Sequence, residues 1–337
     1  MTSSNQHTAP IVVTGAGSWG TALAILLATA GRDVRLWGRD PLRMAEMASM
    51  RINAQYLPDC RLPDSLLVTA DLAQAFADVK DVMIVVPSHA FREHLTQLLP
   101  HLTQSSRLSW SCKGLDQTSG QLLSEVVAEV VPWSIPMAIL SGPSFAKEVA
   151  RGLPTAAAIA SSNSVFAHDL VAQFHTETFR PYLNPDIIGV QISGAVKNPI
   201  AIAAGISDGL GYGANARSAL ITRALAEMTR LGIAMGGKAE TFVGLAGLGD
   251  LVLTCTSDQS RNFRFGHMIG EGKSTTEAEQ TIAQVIEGLQ NAFLVEKLAK
   301  KWSIEMPIIE QVCEVLRGKI TAAQAVHALF ERSIKPE

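Results

Sequence analysis

The chain lacks the features that commit a sequence to a disulfide scaffold, a metal or a membrane. Four cysteines in 337 residues, Cys60, Cys112, Cys255 and Cys313, are widely spaced and form no C-x-x-C. That usage excludes a disulfide framework and reads as reduced thiols of a cytosolic protein. Eight histidines show no H-x-x-x-H or comparable ligand spacing, so no metal site is expected. Residues 1–9 are polar and carry neither the basic nor the apolar stretch of a signal peptide. The longest apolar runs reach only about half of the roughly 20 residues that cross a bilayer. Charge of either sign is not in excess: Lys+Arg is 28 and Asp+Glu is 31, for a net charge of −3. That balance gives no electrostatic ground for nucleic-acid or membrane-surface binding.

What is present is a chain 47% hydrophobic and 18% charged, long enough for two domains at about 150 residues each. Its most informative segment is Ile11-Val-Val-Thr-Gly-Ala-Gly-Ser-Trp-Gly20, followed by the apolar stretch Thr21 to Ala30. A short apolar strand, G-x-G-x-x-G and then a helix form a dinucleotide fingerprint. Gly15 permits a tight turn, Gly17 lets a pyrophosphate approach the backbone, and Gly20 lets helix and strand pack closely. Unpaired N–H groups at the helix start and the helix dipole favour an anion.

Strand and helix patterns alternate through the first half. Asp33–Asp40, Asp81–Pro87, Arg107–Lys113, Pro136–Pro143 and Ala156–Ala160 read as strands, and Pro41–Met50 and Ser88–Leu99 as helices. This alternation predicts a doubly wound, mainly parallel sheet whose ligand crevice lies at the strand carboxyl ends, where Lys113, Ser141, Gly142 and Ser144 fall. After about residue 190 the patterns are helical: Val196–Ala204, Ala216–Leu231, Ala278–Lys301 and Ile308–Arg317. In the third of these, Ile282, Ile286, Leu289 and Phe293 are expected to form one buried face. The expected organisation is an α/β N-terminal Rossmann domain over 1–190 and an all-α C-terminal domain over 191–337.

Arg39 lies 19 residues after Gly20, near the position that reads the adenosine ribose. A guanidinium there suits a 2′-phosphate, which favours NADP over NAD. Asp40 is the opposing signal, because one residue of register exchanges base for acid.

Three further segments can carry chemistry. Lys113 follows a strand and precedes Gly114. Lys197 lies in the apolar stretch Gln191–Pro199, where desolvation would lower the pKa of its amine. Gly244–Thr254 holds Asp250, able to orient a lysine, and is followed by Ser260-Arg261-Asn262, a hydroxyl, a fork of donors and a helix start that suit an anion. Plainer readings stand beside these: Lys113 as a solvated strand-end cation, Asp250 as a helix N-cap, Arg261 as a surface arginine.

Taken together, Gly-Ala-Gly-Ser-Trp-Gly-Thr-Ala (15–22), Ser-Gly-Pro-Ser-Phe-Ala (141–146), Gly-Ala-Val-Lys-Asn (194–198), Ile-Ala-Ala-Gly-Ile-Ser-Asp-Gly-Leu (202–210), Asn-Ala-Arg-Ser-Ala-Leu-Ile-Thr-Arg (215–223), Gly-Leu-Ala-Gly-Leu-Gly-Asp-Leu (244–251) and Ser-Arg-Asn (260–262) resemble the NAD(P)-dependent glycerol-3-phosphate dehydrogenases. The resemblance runs from residue 11 to about 320 and is strongest to the bacterial biosynthetic branch. It implies interconversion of dihydroxyacetone phosphate and sn-glycerol 3-phosphate for phospholipid synthesis, in a cytoplasmic homodimer.

By the same resemblance Lys197 is the proton donor, with Asn198 beside it, and Lys113 is a second active-site lysine touching nicotinamide and substrate. Asp250 and Thr254 orient the lysine and contact substrate. Ser260, Arg261 and Asn262 seat the phosphate, and Gly142 and Ser144 touch substrate. Ser18, Trp19, Arg39, Ala146, Arg261, Val285 and Glu287 touch the cofactor. Ser193 and Val196 depart mildly from the family's pattern. A 3-hydroxyacid or ketopantoate-type reductase, and a non-catalytic dinucleotide sensor, remain alternative readings of the same residues.

Overall fold

The first strand, Ile11–Thr14, is buried at every position, as a run of β-branched residues at the centre of a parallel sheet should be. A computed structural model of the chain describes residues 9–331. The chain folds into two compact units. The first takes in the chain to Cys112, then Ser124–Leu140 and Ser144–Pro185. The second takes in Lys113–Leu123, Ser141–Pro143 and the chain from Asp186.

An eight-stranded sheet organises the first unit. Across it the strands run Leu67–Thr69, Val34–Trp37, Ile11–Thr14, Asp81–Ile84, Arg107–Trp110, Met137–Ser141, Thr155–Ala160 and Phe179–Asn184. Ile11–Thr14 pairs in parallel with both Val34–Trp37 and Asp81–Ile84. Strand order therefore reverses beside the first strand, which is the switch point where doubly wound sheets bind ligands. The Rossmann expectation holds. Leu67–Thr69, Phe179–Asn184 and a small antiparallel pair, Ile52–Asn53 with Leu57–Arg61, were not expected. They are short or lie at sheet edges, and the last strand of the sheet tolerates Pro181 for that reason.

The second unit is helical, as expected, and is built on Ile187–Gly209. This helix is much longer than the Val196–Ala204 run read from the sequence. It is long and apolar enough to cross a membrane, with a mean hydropathy of 1.3, but 89% of that window is buried inside the protein. Asp186 fixes its start. One carboxylate oxygen accepts from Gly189 N (2.8 Å), the other from Lys238 N and Thr241 Oγ1 (2.7 Å each).

The expected helix Ala278–Lys301 is two helices, Thr275–Ile282 and Glu287–Lys301. Ala283 stops the first with left-handed backbone (φ 51°). Ile282 and Ile286 are buried as expected, but the break shifts the register beyond them. Phe293 is 37% exposed, and Ala292, Val295 and Leu298 face the core in its place.

The helix Ile187–Gly209 crosses Arg261–Gly270 with the two backbones in contact. A Cβ on Gly205 would lie 2.0 Å from the Phe263 carbonyl oxygen, and one on Gly266 would lie 2.0 Å from that of Ile202. Gly209 and Gly270, one turn further on, are equally constrained. Only glycine permits this approach. Gly266→Ala is therefore expected to destabilise the second unit by about 1–3 kcal/mol or more through overpacking. A chemical denaturation midpoint unchanged from wild type would contradict the crossing.

Candidate functional site

The first unit offers a nucleotide seat. Thr14 ends the first strand, Gly15 to Gly17 turn, and Ser18–Thr29 is helical with Gly17 at its N-cap. The three glycines differ in what requires them. A Cβ on Gly15 would lie 2.1 Å from the Val85 carbonyl oxygen, and one on Gly20 would lie 1.9 Å from that of Gly15. Gly17 has an ordinary φ of −80° and would have no atom within 4 Å of a Cβ. The packing of the described residues does not require glycine at 17, and the bare backbone there is open to a group approaching from outside. That fits a dinucleotide pyrophosphate.

Other predicted cofactor residues of this unit are placed as follows. Ser18 and Trp19 occupy the first helical turn, and Trp19 Nε1 donates to Ser111 Oγ at 2.6 Å. Ser111 in turn donates to the Leu140 carbonyl at 2.8 Å. Arg39 is exposed and makes no hydrogen bond or ion pair among the described residues. Asp40, its rival in the sequence, is committed elsewhere: it caps the helix Pro41–Met50, accepting from Leu42 N and Arg43 N at 3.1 and 3.2 Å. Near Arg39, His94 is buried and hydrogen-bonded to Thr14 Oγ1 at 2.9 Å. Burial first, and Arg39 second, push its imidazole down to about 4. It is neutral at physiological pH. Ser144 and Ala146 are half-buried, Ala146 opening the short helix Ala146–Ala150.

The second unit gathers the two lysines around one carboxylate. Asp250 (1% exposed) accepts from Lys113 Nζ at 2.7 Å through Oδ2 and from Lys197 Nζ at 2.9 Å through Oδ1. Lys197 Nζ also donates to Thr254 Oγ1 at 2.8 Å, whose hydroxyl donates to the Asp250 carbonyl at 2.6 Å. Lys113 Nζ also donates to the Gly142 carbonyl at 3.1 Å. Asp250 is not an N-cap. It is the first residue of Asp250–Cys255, entered from a π-helical turn, Leu245–Gly249. Such turns re-aim side chains and recur at functional sites.

The charges balance unequally, two ammonium groups against one carboxylate, and the excess is positive. The lysines hold the Asp250 carboxyl below the ordinary range against its own burial. Burial pulls Lys113 down to about 8; Asp250 opposes this and Lys197 adds to it. An ammonium has three donors. Among the described residues each lysine uses two of these, and one on each makes no hydrogen bond.

Around this cluster runs a chain of amides that sequence reasoning read only in part. Asn262 Nδ2 donates to Asn198 Oδ1 at 3.0 Å, and Gly288 N donates to Asn262 Oδ1 at 2.9 Å. Asn198 reaches the Lys113 carbonyl and Glu287 Oε2, each at 3.5 Å. Asn291, buried and unforeseen, donates to the Lys113 carbonyl at 3.2 Å. A polar residue on the buried face of an amphipathic helix was its only signal. Ser260 caps Arg261–Gly270, accepting from Phe263 N at 3.2 Å. The N–H groups of Arg261 and Asn262 therefore open the helix without intrahelical acceptors. Arg261 Nη1 donates to the Val285 carbonyl at 2.9 Å, which brings these two predicted residues together. No group of three or more His, Cys, Asp or Glu suited to a metal occurs among the described residues.

A G-x-G-x-x-G turn at a sheet switch point and two lysines bridged by a buried carboxylate are the features of a nicotinamide-dinucleotide oxidoreductase. Family profiles refine that class. The profile described as NAD-dependent glycerol-3-phosphate dehydrogenase N-terminus matches residues 10–167, and its C-terminal counterpart matches 186–327. The chain belongs to the NAD-dependent glycerol-3-phosphate dehydrogenase family.

The chain is 53% identical over 334 residues to a protein of Serratia proteamaculans (strain 568) named as an NAD(P)+ glycerol-3-phosphate dehydrogenase, covering 99% of this chain and 98% of that one. A protein of the same name from Actinobacillus pleuropneumoniae serotype 3 is 51% identical over 335 residues, 99% and 100% of the two chains. The crystal structure of the Coxiella burnetii glycerol-3-phosphate dehydrogenase superposes with a TM-score of 0.93 at 51% identity, covering 97% of this chain and 100% of that one. A ketopantoate reductase from Ralstonia eutropha shares the fold alone, at a TM-score of 0.59 and 14% identity over 94% and 99% of the two chains.

The glycine loop yields a paired prediction. Gly17→Ala is expected to fold with an unchanged melting temperature and to bind NADPH about tenfold more weakly, about 1.4 kcal/mol. Gly15→Ala is expected to lose the fold. Circular dichroism melts and fluorescence titration measure both, and unimpaired NADPH binding by Gly17→Ala would contradict the seat.

Proposed function

We propose that the protein reduces dihydroxyacetone phosphate to sn-glycerol 3-phosphate, using NADPH ahead of NADH, to supply glycerophospholipid synthesis. The observation that carries this reading is the pair of ammonium groups on Asp250, each with one donor left for a substrate oxygen. Family membership and the names of the close relatives support it.

Bound NAD(P)H supplies the hydride that C2 of the ketone accepts. The protein manages the oxygen on that carbon. As the carbonyl becomes an alkoxide, Lys197 Nζ and Lys113 Nζ each donate a hydrogen bond to it, in a site whose low polarity strengthens the attraction. Lys197 then gives its proton to the oxygen and is left as the amine. Asp250 and Thr254 keep Lys197 aimed while this happens. In the oxidative direction the Lys197 amine takes the proton back.

Arg261 and the helix start it shares with Asn262 grip the phosphate. That grip is remote from the reacting bond, so its binding energy serves positioning. Ser260 and Asn262 support it from behind: one caps the helix, the other ties it to Asn198. Gly142 and Ser144 complete the substrate contacts, and Ser18, Trp19, Ala146, Val285 and Glu287 the cofactor contacts. Exposed Arg39 beside neutral His94, with Asp40 committed to its cap, supports a 2′-phosphate contact. The resemblance also leads us to propose a cytoplasmic homodimer, which sedimentation velocity tests. The low identity to ketopantoate reductase carries no argument for a carboxylate substrate.

Loss of NADPH absorbance on adding dihydroxyacetone phosphate, and none with unphosphorylated dihydroxyacetone, is the expected result. Oxidation driven equally well by a 2-keto carboxylate would overturn the assignment. Lys197→Ala is expected to retain NADPH binding and lower kcat by about 10²–10⁴-fold, the contribution of a general acid; normal turnover would remove Lys197 from the role. Because Lys113 titrates near 8 and acts as the ammonium, kcat/KM for reduction is expected to be flat below that pH and to fall above it. Lys113→Arg is expected to abolish that fall, and a pH profile unchanged by this substitution would contradict the assignment.

A further inference from the structure

The peptide joining Ala16 to Gly17 is held from one side by two residues that no functional reading has used. Asn53, fully buried, donates through Nδ2 to the Ala16 carbonyl at 3.1 Å and to Thr21 Oγ1 at 2.8 Å. Arg43 Nη2 donates to the same carbonyl and lies 3.5 Å from Asn53 Oδ1. Its guanidinium stacks over the Tyr56 ring, 4.5 Å from the centroid. Arg43 stands on the helix Pro41–Met50, and Asn53 on the two-residue strand that pairs with Leu57–Arg61.

We propose that Arg43 and Asn53 are positioning residues for the dinucleotide pyrophosphate, acting by fixing the orientation of the Ala16–Gly17 peptide. The proposal rests on the reading of Gly15–Gly20 as the pyrophosphate seat. In a trans peptide the carbonyl and the following N–H point in opposite directions. Two donors on the Ala16 oxygen, one cationic, therefore turn the Gly17 N–H the other way. That N–H makes no hydrogen bond among the described residues, and a Cβ on Gly17 would meet no described atom within 4 Å. A flipped peptide would instead present carbonyl lone pairs to the phosphates. The positive charge of Arg43 polarises the peptide in the favourable sense, and a donor aimed at an anion is stronger than a neutral one. By bonding Thr21 as well, Asn53 ties the peptide to the helix whose N-terminus also faces the anion.

NADH and NADPH share the pyrophosphate and differ at the ribose, which gives the test its arms. Dissociation constants for both are measured by fluorescence titration of the folded protein. Arg43→Met keeps the aliphatic stem and removes the guanidinium; it is expected to weaken NADH and NADPH binding by the same factor, about tenfold to a hundredfold, as loss of a charge-assisted hydrogen bond does. Arg43→Lys is expected to restore most of the affinity for both. Asn53→Leu, matched in volume, is expected to show the same equal loss; if it does not fold, the arginine pair decides. A loss confined to NADPH would make Arg43 a 2′-phosphate contact and overturn the proposal, as would unchanged affinity for both cofactors in Arg43→Met. Failure of the seat itself is separately visible, as unimpaired binding of both cofactors by Gly17→Ala.

Discussion

The Asp250 carboxylate, buried between two ammonium groups, is the constraint on which the proposed chemistry depends. Taking three charges out of water is costly unless they pair and hydrogen-bond fully. Here each carboxylate oxygen takes one lysine, at 2.7 and 2.9 Å, and Thr254 and the Gly142 carbonyl take a second donor from each. The three groups carry one positive charge in excess, and among the described residues one donor on each lysine makes no hydrogen bond. In the proposed reaction this arrangement favours a negative oxygen, and preorganised donors of that kind are the principal source of electrostatic catalysis.

The rest of the second unit keeps that cluster rigid. Lys197 stands on Ile187–Gly209, whose start is fixed by Asp186 and whose far half is locked by the glycine crossing with Arg261–Gly270. The crossing partner begins with the residues proposed to hold the phosphate. Two backbones in contact cannot slide as side-chain packing can, so the span from Arg261 to Lys197 is set by main chain. In the first unit Gly15 and Gly20 are required by packing, whereas a Cβ on Gly17 would meet no described atom.

Much of this was legible in the sequence, and the omissions have physical reasons. The glycine fingerprint, the sheet and the helical second half follow from local period and turn chemistry. The proposed site residues were marked by type, such as Lys197 in an apolar run and Ser260 at a helix start. Partnership was not legible. Asp250 joins Lys113 across 137 residues, and no spacing rule says that one carboxylate serves two lysines. Asn53 and Arg43 escaped because their partner is a backbone carbonyl, which has no residue type. The break at Ala283 was hidden because alanine rarely adopts left-handed backbone, so the pattern Ile282 to Phe293 continued past a helix that had ended. The full length of Ile187–Gly209 was not legible because the helix is buried on nearly every side, so beyond Val196–Ala204 no polar face marks its period.

The most direct measurement is the kinetics of Asp250→Asn, which keeps the shape and removes the charge. If one carboxylate aims both ammonium groups, kcat for dihydroxyacetone phosphate reduction falls by about 10²-fold or more, on the scale of 3–5 kcal/mol for breaking a buried pair, while NADPH affinity is unchanged. A variant that turns over at the wild-type rate would contradict the account.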